Sequence, residues 1–344
     1  FQVLREMAAE DCVIGGDGVL EVLQDGFGFL RSPEANYLSG PDDIYVSPDM
    51  IRQFSLRTGD TIEGVIKAPE GEERYFALTT AERINFEDPE RARHKIAFDN
   101  LTPLYPDQRL KMEIEDPTIK DRSSRIIDIV VPLGKGQRAL IVAPPRTGKT
   151  VILQQVTHAI AKNHPEAKVI VMLIDERPEE VTEFRRCLPG AEIYASSNDD
   201  GARSHCRISE LCIERCKRLV EGGKDVLVLM DSITRLARAY NGSMGGGGKG
   251  RGYQSGGIVA GALEMPRRLF AAARNTRTAG SLTVLATALI QTNSRADEAI
   301  FQEFKGTGNM ELVLDRRIAE QYIYPAVDIF KSGTRREELI MAEH

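Results

Sequence analysis

The feature that most constrains the fold is a short loop between an apolar run and a helix-like run. The loop reads Ala-Pro-Pro-Arg-Thr-Gly-Lys-Thr at residues 143–150, directly after Ala-Leu-Ile-Val. Two further strand-like runs end in acids: residues 169–174 lead to Glu176, and residues 225–230 lead to Asp231. Acids at the ends of neighbouring parallel strands, beside such a loop, are typical of proteins that bind and split a nucleoside triphosphate. The sequence therefore predicts a parallel α/β sheet with its site at one edge.

The residue types in the loop suit a triphosphate. Lys149 can reach the β- and γ-phosphates, Thr150 can hold Mg²⁺, and backbone N–H groups at the start of the next helix can cradle the oxygens. The strict pattern for such loops begins with glycine, whereas this loop begins with Ala143. Asp231 is placed to hold the metal's water shell, and Glu176 to orient and deprotonate the attacking water. The alternative is that either acid only caps the following helix; the loop beside them favours catalysis.

The composition is that of a protein with about two domains. The chain has 344 residues and a net charge of −6, which excludes a globally basic nucleic-acid binder. No apolar run approaches the ~20 residues of a membrane helix, so we expect no membrane segment. The 5 cysteines lack disulfide-framework spacing, which favours a reducing cytoplasm. Because the chain starts at Phe1 and stops in a helix-like run, we expect a fragment cut at both ends.

Three cysteines leave two interpretations open. Cys206, Cys212 and Cys216 are close enough along the chain to suggest a metal site. They also fall in a helix-like segment whose apolar face includes Ile208 and Leu219, where cysteine behaves as a small hydrophobic residue. Core packing is the favoured interpretation.

Short strands with turn residues between them fill the segment before the loop. Around five of them in about 65 residues suggest a small β-barrel of the OB or cold-shock type. The segment 15–83 carries 13 acidic and 6 basic residues, so RNA binding there must depend on stacking and hydrogen bonds more than on bulk charge. The predicted strands cover residues 19–23, 27–31, 43–46, 61–67 and 75–79.

Phe27 and Phe29 are two residues apart and project from one face of their strand. They are either barrel core, which is the usual place of phenylalanine on a strand, or an exposed platform on which bases stack. The residue pattern leaves these two interpretations balanced.

The predicted organisation has four parts. Residues 1–14 are the end of a helical segment, 15–83 the barrel, 84–130 a charged connector, and 131–344 the α/β domain, truncated at its C-terminal end. In this last domain we expect a helix at residues 151–162 and a buried strand at residues 282–289. The glycine-rich stretch at residues 242–252 is predicted to be a mobile loop without regular structure.

Motifs along nearly the whole chain resemble one family, the bacterial transcription termination factors called Rho. In the barrel they include Asp-Gly-Phe-Gly-Phe-Leu-Arg at residues 25–31 and Gly-Pro-Asp-Asp-Ile-Tyr-Val-Ser-Pro at residues 40–48. In the α/β domain they include Asp-Ser-Ile-Thr-Arg-Leu-Ala-Arg-Ala-Tyr-Asn at residues 231–241 and Ser-Gly-Thr-Arg-Arg at residues 332–336. Further matching stretches lie at residues 17–21, 57–60, 73–78, 141–145, 174–182 and 303–312. The family's loop also reads Ala-Pro-Pro.

The resemblance implies a RecA-like hexameric ring ATPase that uses ATP and Mg²⁺, moves along RNA and releases transcripts from RNA polymerase. In such a protein Glu176 would be the catalytic base, and Thr150 and Asp231 the Mg²⁺ group. Arg335 would be an arginine finger that reaches the neighbouring subunit's site, and Tyr324 would stack on adenine. The implied nucleotide contacts are Pro145, Arg146, Thr147, Gly148, Lys149, Thr150, Arg177 and Tyr324.

The resemblance also implies that the cold-shock domain captures single-stranded, pyrimidine-rich RNA, which favours exposure of Phe27 and Phe29. Two central loops would contact RNA as well: the first is the glycine-rich stretch with the run at residues 255–263, and the second is at residues 293–297. The implied partners are a homohexamer of the same chain, RNA polymerase and elongation factors, in the bacterial cytoplasm. The implied RNA contacts are Phe27, Phe29, Arg31, Tyr45, Tyr75, Lys249, Arg251 and Arg295.

Two rival functions remain open at this stage. The first is a ring ATPase of the rotary or secretion type, whose small β domain serves assembly. The second is an RNA-binding module whose ATPase is inactive through truncation or loop divergence. RNA-stimulated hydrolysis would distinguish the first rival, and turnover by the full-length protein the second.

Overall fold

The computed structural model describes residues 13–71, 73–92, 94–115, 122–245 and 255–341. Contacts divide the chain into two compact units. The first comprises the residues up to Leu101 together with Glu210–Gly222, and the second comprises Thr102–Ser209 and the residues from Gly223 onwards. The helical end predicted at residues 1–14 lies largely outside the described residues. The domain bounds predicted from the sequence stay a prediction.

The first unit contains a closed five-stranded barrel with the order β1-β2-β3-β5-β4. The β3–β5 pair is parallel and the other pairs are antiparallel. Alternate side chains point inwards, and residues such as Leu20, Leu30 and Ile62 form the core. The strands are β1 (Ile14–Val22), β2 (Gly28–Arg31), β3 (Ile44–Val46), β4 (Thr61–Lys67) and β5 (Phe76–Ile84). The predicted small barrel is confirmed.

Two short helices accompany the barrel, α1 (Pro48–Phe54) and α2 (Pro89–Ala92). The hydroxyl of Ser47 accepts a hydrogen bond from the Met50 amide and caps α1. Pro48 follows the cap, where its missing N–H costs nothing.

The second unit is built on a seven-stranded sheet with the order β14-β13-β7-β12-β10-β8-β9. All neighbouring pairs are parallel except the edge pair β13–β14. The strands of the unit are β6 (Pro103–Leu104), β7 (Arg138–Ala143), β8 (Lys168–Glu176), β9 (Glu192–Ser197), β10 (Val226–Asp231), β11 (Asn275–Thr276), β12 (Leu282–Leu289), β13 (Met310–Val313) and β14 (Gly333–Thr334). The predicted parallel α/β sheet is confirmed, including the strand at residues 282–289.

Helices connect these strands, because parallel strands need long crossovers. The central strands read as continuous apolar runs since both faces of the sheet are covered. The helices are α3 (Ser123–Val130), α4 (Lys149–Asn163), α5 (Pro178–Cys187), α6 (Ala202–Glu221), α7 (Ile233–Gly245), α8 (Glu264–Ala271), α9 (Arg295–Lys305) and α10 (Arg316–Glu320). Among the described residues, no helix is both long and apolar enough to cross a membrane.

The cysteines of α6 pack as the sequence predicts. Cys206, Cys212 and Cys216 are buried, and Cys212 and Cys216 have no exposed surface. Their neighbours along the apolar face, such as Ile208 and Leu219, are buried as well. The favoured interpretation, core packing, is confirmed.

The prediction for the glycine-rich stretch is wrong at its beginning. Residues 242–245 belong to α7, which continues four residues into the stretch predicted to lack regular structure. Each helical glycine costs only about 1 kcal/mol relative to alanine, and a helix already formed over nine residues propagates through such a cost. The Asn241 side chain, which accepts a hydrogen bond from the Val259 amide, adds a tie near this end of the helix. Residues 246–254 lie outside the described part of the chain.

Candidate functional site

The loop between β7 and α4 has the backbone of a phosphate cradle. Arg146 and Gly148 are in the left-handed region, with φ of 65° and 86°. The buried hydroxyl of Thr147 donates to the Pro144 carbonyl at 2.8 Å and closes the loop. Left-handed residues in such a turn direct successive N–H groups towards one concavity, which is a favourable place for an anion. Pro145 and Arg146 are exposed at the tip of this loop.

The two acids predicted from the strand ends lie beside the loop. Lys149 Nζ, at the start of α4, is 2.5 Å from Asp231 Oδ1 at the end of β10 and 3.8 Å from Glu176 Oε1 at the end of β8. Because β8 and β10 are neighbours in the sheet, their carboxyl ends meet at one edge. The structure thus brings Lys149, Glu176 and Asp231 together, while Thr150 follows in the first turn of α4.

Burial raises the pKa of Glu176 to about 8, and the nearby Asp231 carboxylate adds to the rise. Only 2% of Glu176 is exposed, and its Oε1 atom has no hydrogen-bond partner among the described residues. A carboxyl group in such a place favours its neutral form, although Lys149 and Arg235 oppose the shift. A perturbed carboxyl beside a phosphate loop is a candidate for proton transfer.

Two residues that the sequence analysis missed hold these acids in place. The Arg235 guanidinium on α7 lies 3.4 Å from Glu176 Oε2 and donates to the Asp175 carbonyl. The Thr287 hydroxyl on β12 donates to Asp231 Oδ1 at 2.7 Å. Arg235 follows Asp231 by one helical turn, and Thr287 is one of two threonines, with Thr283, in an otherwise apolar strand. Both features are visible in the sequence.

A pocket of about 430 Å³ continues from the loop, and Tyr324 forms one of its walls. Tyr324 is 59% exposed. Its ring lies over the loop, as shown by the distance of 3.6 Å between a Cβ added to Gly148 and the Tyr324 Cδ1 atom. An exposed aromatic ring next to a phosphate loop offers a stacking surface for a base. Arg177 is exposed at the N-cap of α5, immediately after Glu176.

Arg335 lies at the opposite end of the sheet from its own loop. Its amide donates to the Asn309 carbonyl at 2.8 Å, and the Asn309 amide donates to the carbonyl of Arg138, where β7 begins. The loop follows Ala143, at the other end of β7. Five residues of strand rise ~16 Å, which exceeds the length of an arginine side chain. Arg335 is exposed and is not brought together with Lys149.

Four aromatic side chains form a half-buried cluster on the barrel: Phe27, Phe29, Tyr45 and Tyr75. Ring centroids are 5.8 Å apart for Phe27–Phe29, 5.7 Å for Phe27–Tyr45 and 4.9 Å for Phe29–Tyr75. Tyr45 on β3 is the cross-strand partner of Phe29 on β2. None of the four belongs to the barrel core, so the core interpretation of Phe27 and Phe29 is wrong.

Arg31 is buried beside this cluster and held by two carboxylates. Its Nε donates to Glu21 Oε2 at 2.7 Å, and its Nη1 donates to Asp43 Oδ2. The guanidinium carbon lies 5.1 Å from the centroid of the Phe29 ring, a cation–π distance. Arg31 is 5% exposed, so it supports the Phe29 ring; its predicted contact with RNA stays a prediction.

The central loops are described only in part. Arg295 is exposed at the first position of α9, which Ser294 caps. Gly256, in the 3₁₀ turn Ser255–Gly257 that follows the glycine-rich stretch, packs against Arg295: an added Cβ would be 2.8 Å from the Arg295 carbonyl oxygen. The two loops therefore meet at this point. Lys249 and Arg251 lie outside the described residues.

The sheet order, the loop and the two acids define the class of protein: a P-loop ATPase that also carries a small β-barrel. Two family models match the chain, "Rho termination factor, RNA-binding domain" at residues 16–90 and "ATP synthase alpha/beta family, nucleotide-binding domain" at residues 123–334. The chain is 64% identical over 341 residues to the transcription termination factor Rho of Cereibacter sphaeroides, 57% identical to that of Pseudomonas fluorescens, and 55% identical to that of Escherichia coli K12. These matches cover 99–100% of this chain and 80–81% of the relatives. The chain belongs to the Rho family of transcription termination factors, and is an RNA-binding protein that hydrolyses ATP.

Two solved ATPase structures share the fold of most of this chain. An ATPase from a type III secretion system of pathogenic bacteria matches with a TM-score of 0.60 and 25% identity, over 71% of this chain and 67% of that chain. The ATPase EscN of enteropathogenic E. coli matches with a TM-score of 0.61 and 22% identity, over 80% of this chain and 62% of that chain. These likenesses reflect the fold, whereas the match of residues 16–90 to an RNA-binding domain contradicts the rival of the secretion type.

Proposed function

We propose that the chain acts as one subunit of a homohexameric ring that binds nascent single-stranded RNA, moves along it with the energy of ATP hydrolysis, and releases the transcript from RNA polymerase. The observation that carries the proposal is the convergence of Lys149, Glu176 and Asp231 at the carboxyl edge of the sheet. RNA polymerase and elongation factors are the proposed partners, and the bacterial cytoplasm is the proposed location, by analogy with the similar bacterial proteins.

In the proposed ATP site, the loop from Pro145 to Gly148 cradles the phosphates with its N–H groups, and Arg146 and Arg177 add positive charge. Lys149 exchanges its contact with Asp231 for the β- and γ-phosphates. The carboxylate of Asp231 and the hydroxyl of Thr150 are oxygen donors that suit Mg²⁺, which when bound would neutralise phosphate charge. Glu176 takes a proton from the attacking water as general base, for which it must first ionise.

Arg335 is proposed to act in trans. It lies ~16 Å along β7 from its own loop, so it completes a site only on a neighbouring copy. Burial, Arg274 and Arg335 all lower the pKa of Arg138, which indicates a positive field around this end of the sheet. Such a field suits the triphosphate of an adjacent subunit.

The aromatic cluster of the barrel is proposed to capture pyrimidine-rich RNA. Phe27, Phe29, Tyr45 and Tyr75 are half-buried, so each ring keeps a surface on which a base can stack. Because the barrel segment is acidic, stacking outweighs charge attraction, and binding should depend only weakly on salt. Arg31 is proposed to contribute through its cation–π contact with Phe29 and through its hydrogen bonds near the bound base.

Contacts in the ring centre are proposed for Lys249, Arg251 and Arg295. The packing of Gly256 on Arg295 supports a common location for the two loops. The test uses short RNA, with the barrel saturated by a pyrimidine oligomer. Changing Lys249 and Arg251 together to alanine should lower RNA stimulation of the ATPase, as should Arg295→Ala. Full stimulation in the double variant, with collapse in Arg295→Ala, would leave the second loop as the sole contact.

The decisive experiment measures ATP turnover with and without poly-pyrimidine RNA. Stimulation by RNA, absent in Lys149→Ala, is the expected result. Equal turnover with and without RNA would favour an ATPase whose barrel serves assembly. Absence of turnover in the full-length protein would favour an RNA-binding module.

A further inference from the structure

The end of β8 is irregular where it presents Glu176. Ile174 pairs with Ser196 on β9. Glu176 pairs with the very next residue, Ser197, so Asp175 is an extra residue in β8. Asp175 has a left-handed backbone, with φ of 57°. A bulge of this kind re-aims a side chain, and bulges are frequent next to active sites. The direction of the Glu176 side chain therefore depends on the contacts that hold the bulge.

Two contacts from outside the strand hold the backbone of this bulge. The Asn198 amide, directly after β9, donates to the Glu176 carbonyl at 3.1 Å. The Arg235 guanidinium on α7 donates to the Asp175 carbonyl. The first of these contacts persists only while the end of β9 stays in place, so the Glu176 backbone is tied to that end.

A buried histidine fixes the end of β9 to the next helix. Ser196 is 1% exposed, and its Oγ atom lies 2.8 Å from Nδ1 of His205 in the first turn of α6. His205 is 6% exposed. Burial lowers the pKa of the His205 imidazole, whereas the carboxylates of Asp175 and Asp200 oppose this shift. The hydrogen bond satisfies two buried polar groups, which an apolar side chain at position 205 would not do.

We propose that His205 is a positioning residue for ATP hydrolysis. Its hydrogen bond with Ser196 holds the end of β9, and β9 in turn holds the bulge that aims the Glu176 carboxylate at the attacking water. His205 acts through these contacts rather than on the nucleotide. A small misplacement of a catalytic group, of about 1 Å, can cost ~10²-fold in rate, so a contact one strand away can control turnover. The inference rests on the proposed role of Glu176 as the general base.

The test compares His205→Leu with His205→Asn in RNA-stimulated ATP hydrolysis. Leucine removes the hydrogen bond, whereas the asparagine carboxamide places a polar atom near the position of Nδ1 and keeps a partner for Ser196. His205→Leu should lower kcat by about 10- to 100-fold and leave the dissociation constant of ATP almost unchanged, because the phosphate loop is intact. His205→Asn should recover most of kcat. An unchanged kcat in His205→Leu, or an equal loss in both variants, would overturn the proposal.

Two serine variants complete the comparison. Ser196→Ala removes the same hydrogen bond with the loss of one oxygen atom, so it tests the contact even where leucine at position 205 prevents folding, and it should lower kcat in the same way. Ser209→Ala is the matched control. Ser209 is buried on the same helix, one turn further on, and its hydroxyl donates to the Cys206 carbonyl at 2.7 Å. Its loss removes a buried hydrogen bond within α6 and should leave kcat unchanged; a kcat loss equal to that of Ser196→Ala would overturn the proposal.

Combination with Glu176→Gln shows whether the effect passes through the base. In a chain that already carries Glu176→Gln, Ser196→Ala should lower single-turnover hydrolysis no further. Losses that multiply would overturn the role of His205, because it would then act by a route that bypasses Glu176. Turnover near that of the unmodified chain in Glu176→Gln alone would instead refute the base assignment, and with it the inference.

Discussion

Replacement of Glu176 by glutamine should separate the chemistry of the site from its stability. Glutamine keeps the size of the side chain and removes the ionisable group. General-base catalysis typically contributes about 10²–10⁴-fold, so turnover should fall by that factor while ATP affinity is retained. Because the pKa of Glu176 is raised to about 8, kcat/KM of the unmodified chain should rise with pH until about pH 8.

The same raised pKa predicts a stability change of the opposite sign. Between the ordinary carboxyl pKa of 4.5 and about 8, the folded state binds more protons than the unfolded state, so the free energy of unfolding falls as pH rises. The pKa of Glu176 is shifted by ~3.5 units, and each unit corresponds to ~1.4 kcal/mol, so the free energy of unfolding falls by at most about 5 kcal/mol. The cost is absent below about pH 4.5 and fully present above about pH 8. Glu176→Gln should therefore be more stable than the unmodified chain at pH 9 and similar at pH 4.5.

Urea unfolding of the nucleotide-free protein between pH 4.5 and 9 checks the stability, and steady-state ATP hydrolysis checks the chemistry. Glu179→Gln is the matched control, because Glu179 is exposed in the first turn of α5, three residues along the chain. It should change neither quantity. Turnover near that of the unmodified chain in Glu176→Gln would refute the base assignment, and parallel stability curves would refute the raised pKa.

Three further outcomes follow from the remaining contacts. Arg335→Ala subunits mixed into unmodified rings should lower ATPase activity by more than their share of the subunits, since an arginine finger contributes ~10³–10⁵ to the rate. A loss strictly proportional to that share would indicate a site completed within one subunit. Phe27→Ala with Phe29→Ala should weaken binding of long pyrimidine RNA by about 2–6 kcal/mol if two stacks are lost, with folding retained by circular dichroism; unchanged affinity would remove the stacking role. Arg31→Ala should lower the free energy of unfolding by about 3–5 kcal/mol, because two buried carboxylates lose their cation; a change below 1 kcal/mol in denaturant titration would contradict this.

The central sheet and its site could be predicted because each signal is local in the sequence. An apolar run with an acid at its end fixes both the strand and the position of the acid, and β8 and β10 place Glu176 and Asp231 as expected. The strand at residues 282–289 was predicted to the residue for the same reason. Long buried strands leave little freedom in where they begin and end.

Other features depend on contacts between distant parts of the chain, which one sequence does not display. The burial of Arg31 follows from Glu21 and Asp43 on neighbouring strands of the barrel. The orientation of Phe27 and Phe29 depends on which strand face the barrel closes over, and the alternation of residues alone left that open.

The charges around Glu176 decide when its carboxyl group can act as a base. Lys149 contacts Asp231, and burial raises the pKa of Glu176 to about 8, which favours the neutral carboxyl at pH 7. Negative phosphates would raise this pKa further, whereas cations brought near the acid would lower it. Arg235 is already 3.4 Å away, so additional positive charge comes from groups that arrive later: Mg²⁺ with the nucleotide, and Arg335 of a neighbouring copy on assembly. The pH–rate profile should then shift to lower pH when RNA is added, and the shift should be lost in Arg335→Ala rings. Identical profiles with and without RNA would show that stimulation acts on another step, because the ionisation of Glu176 would be the same in both states.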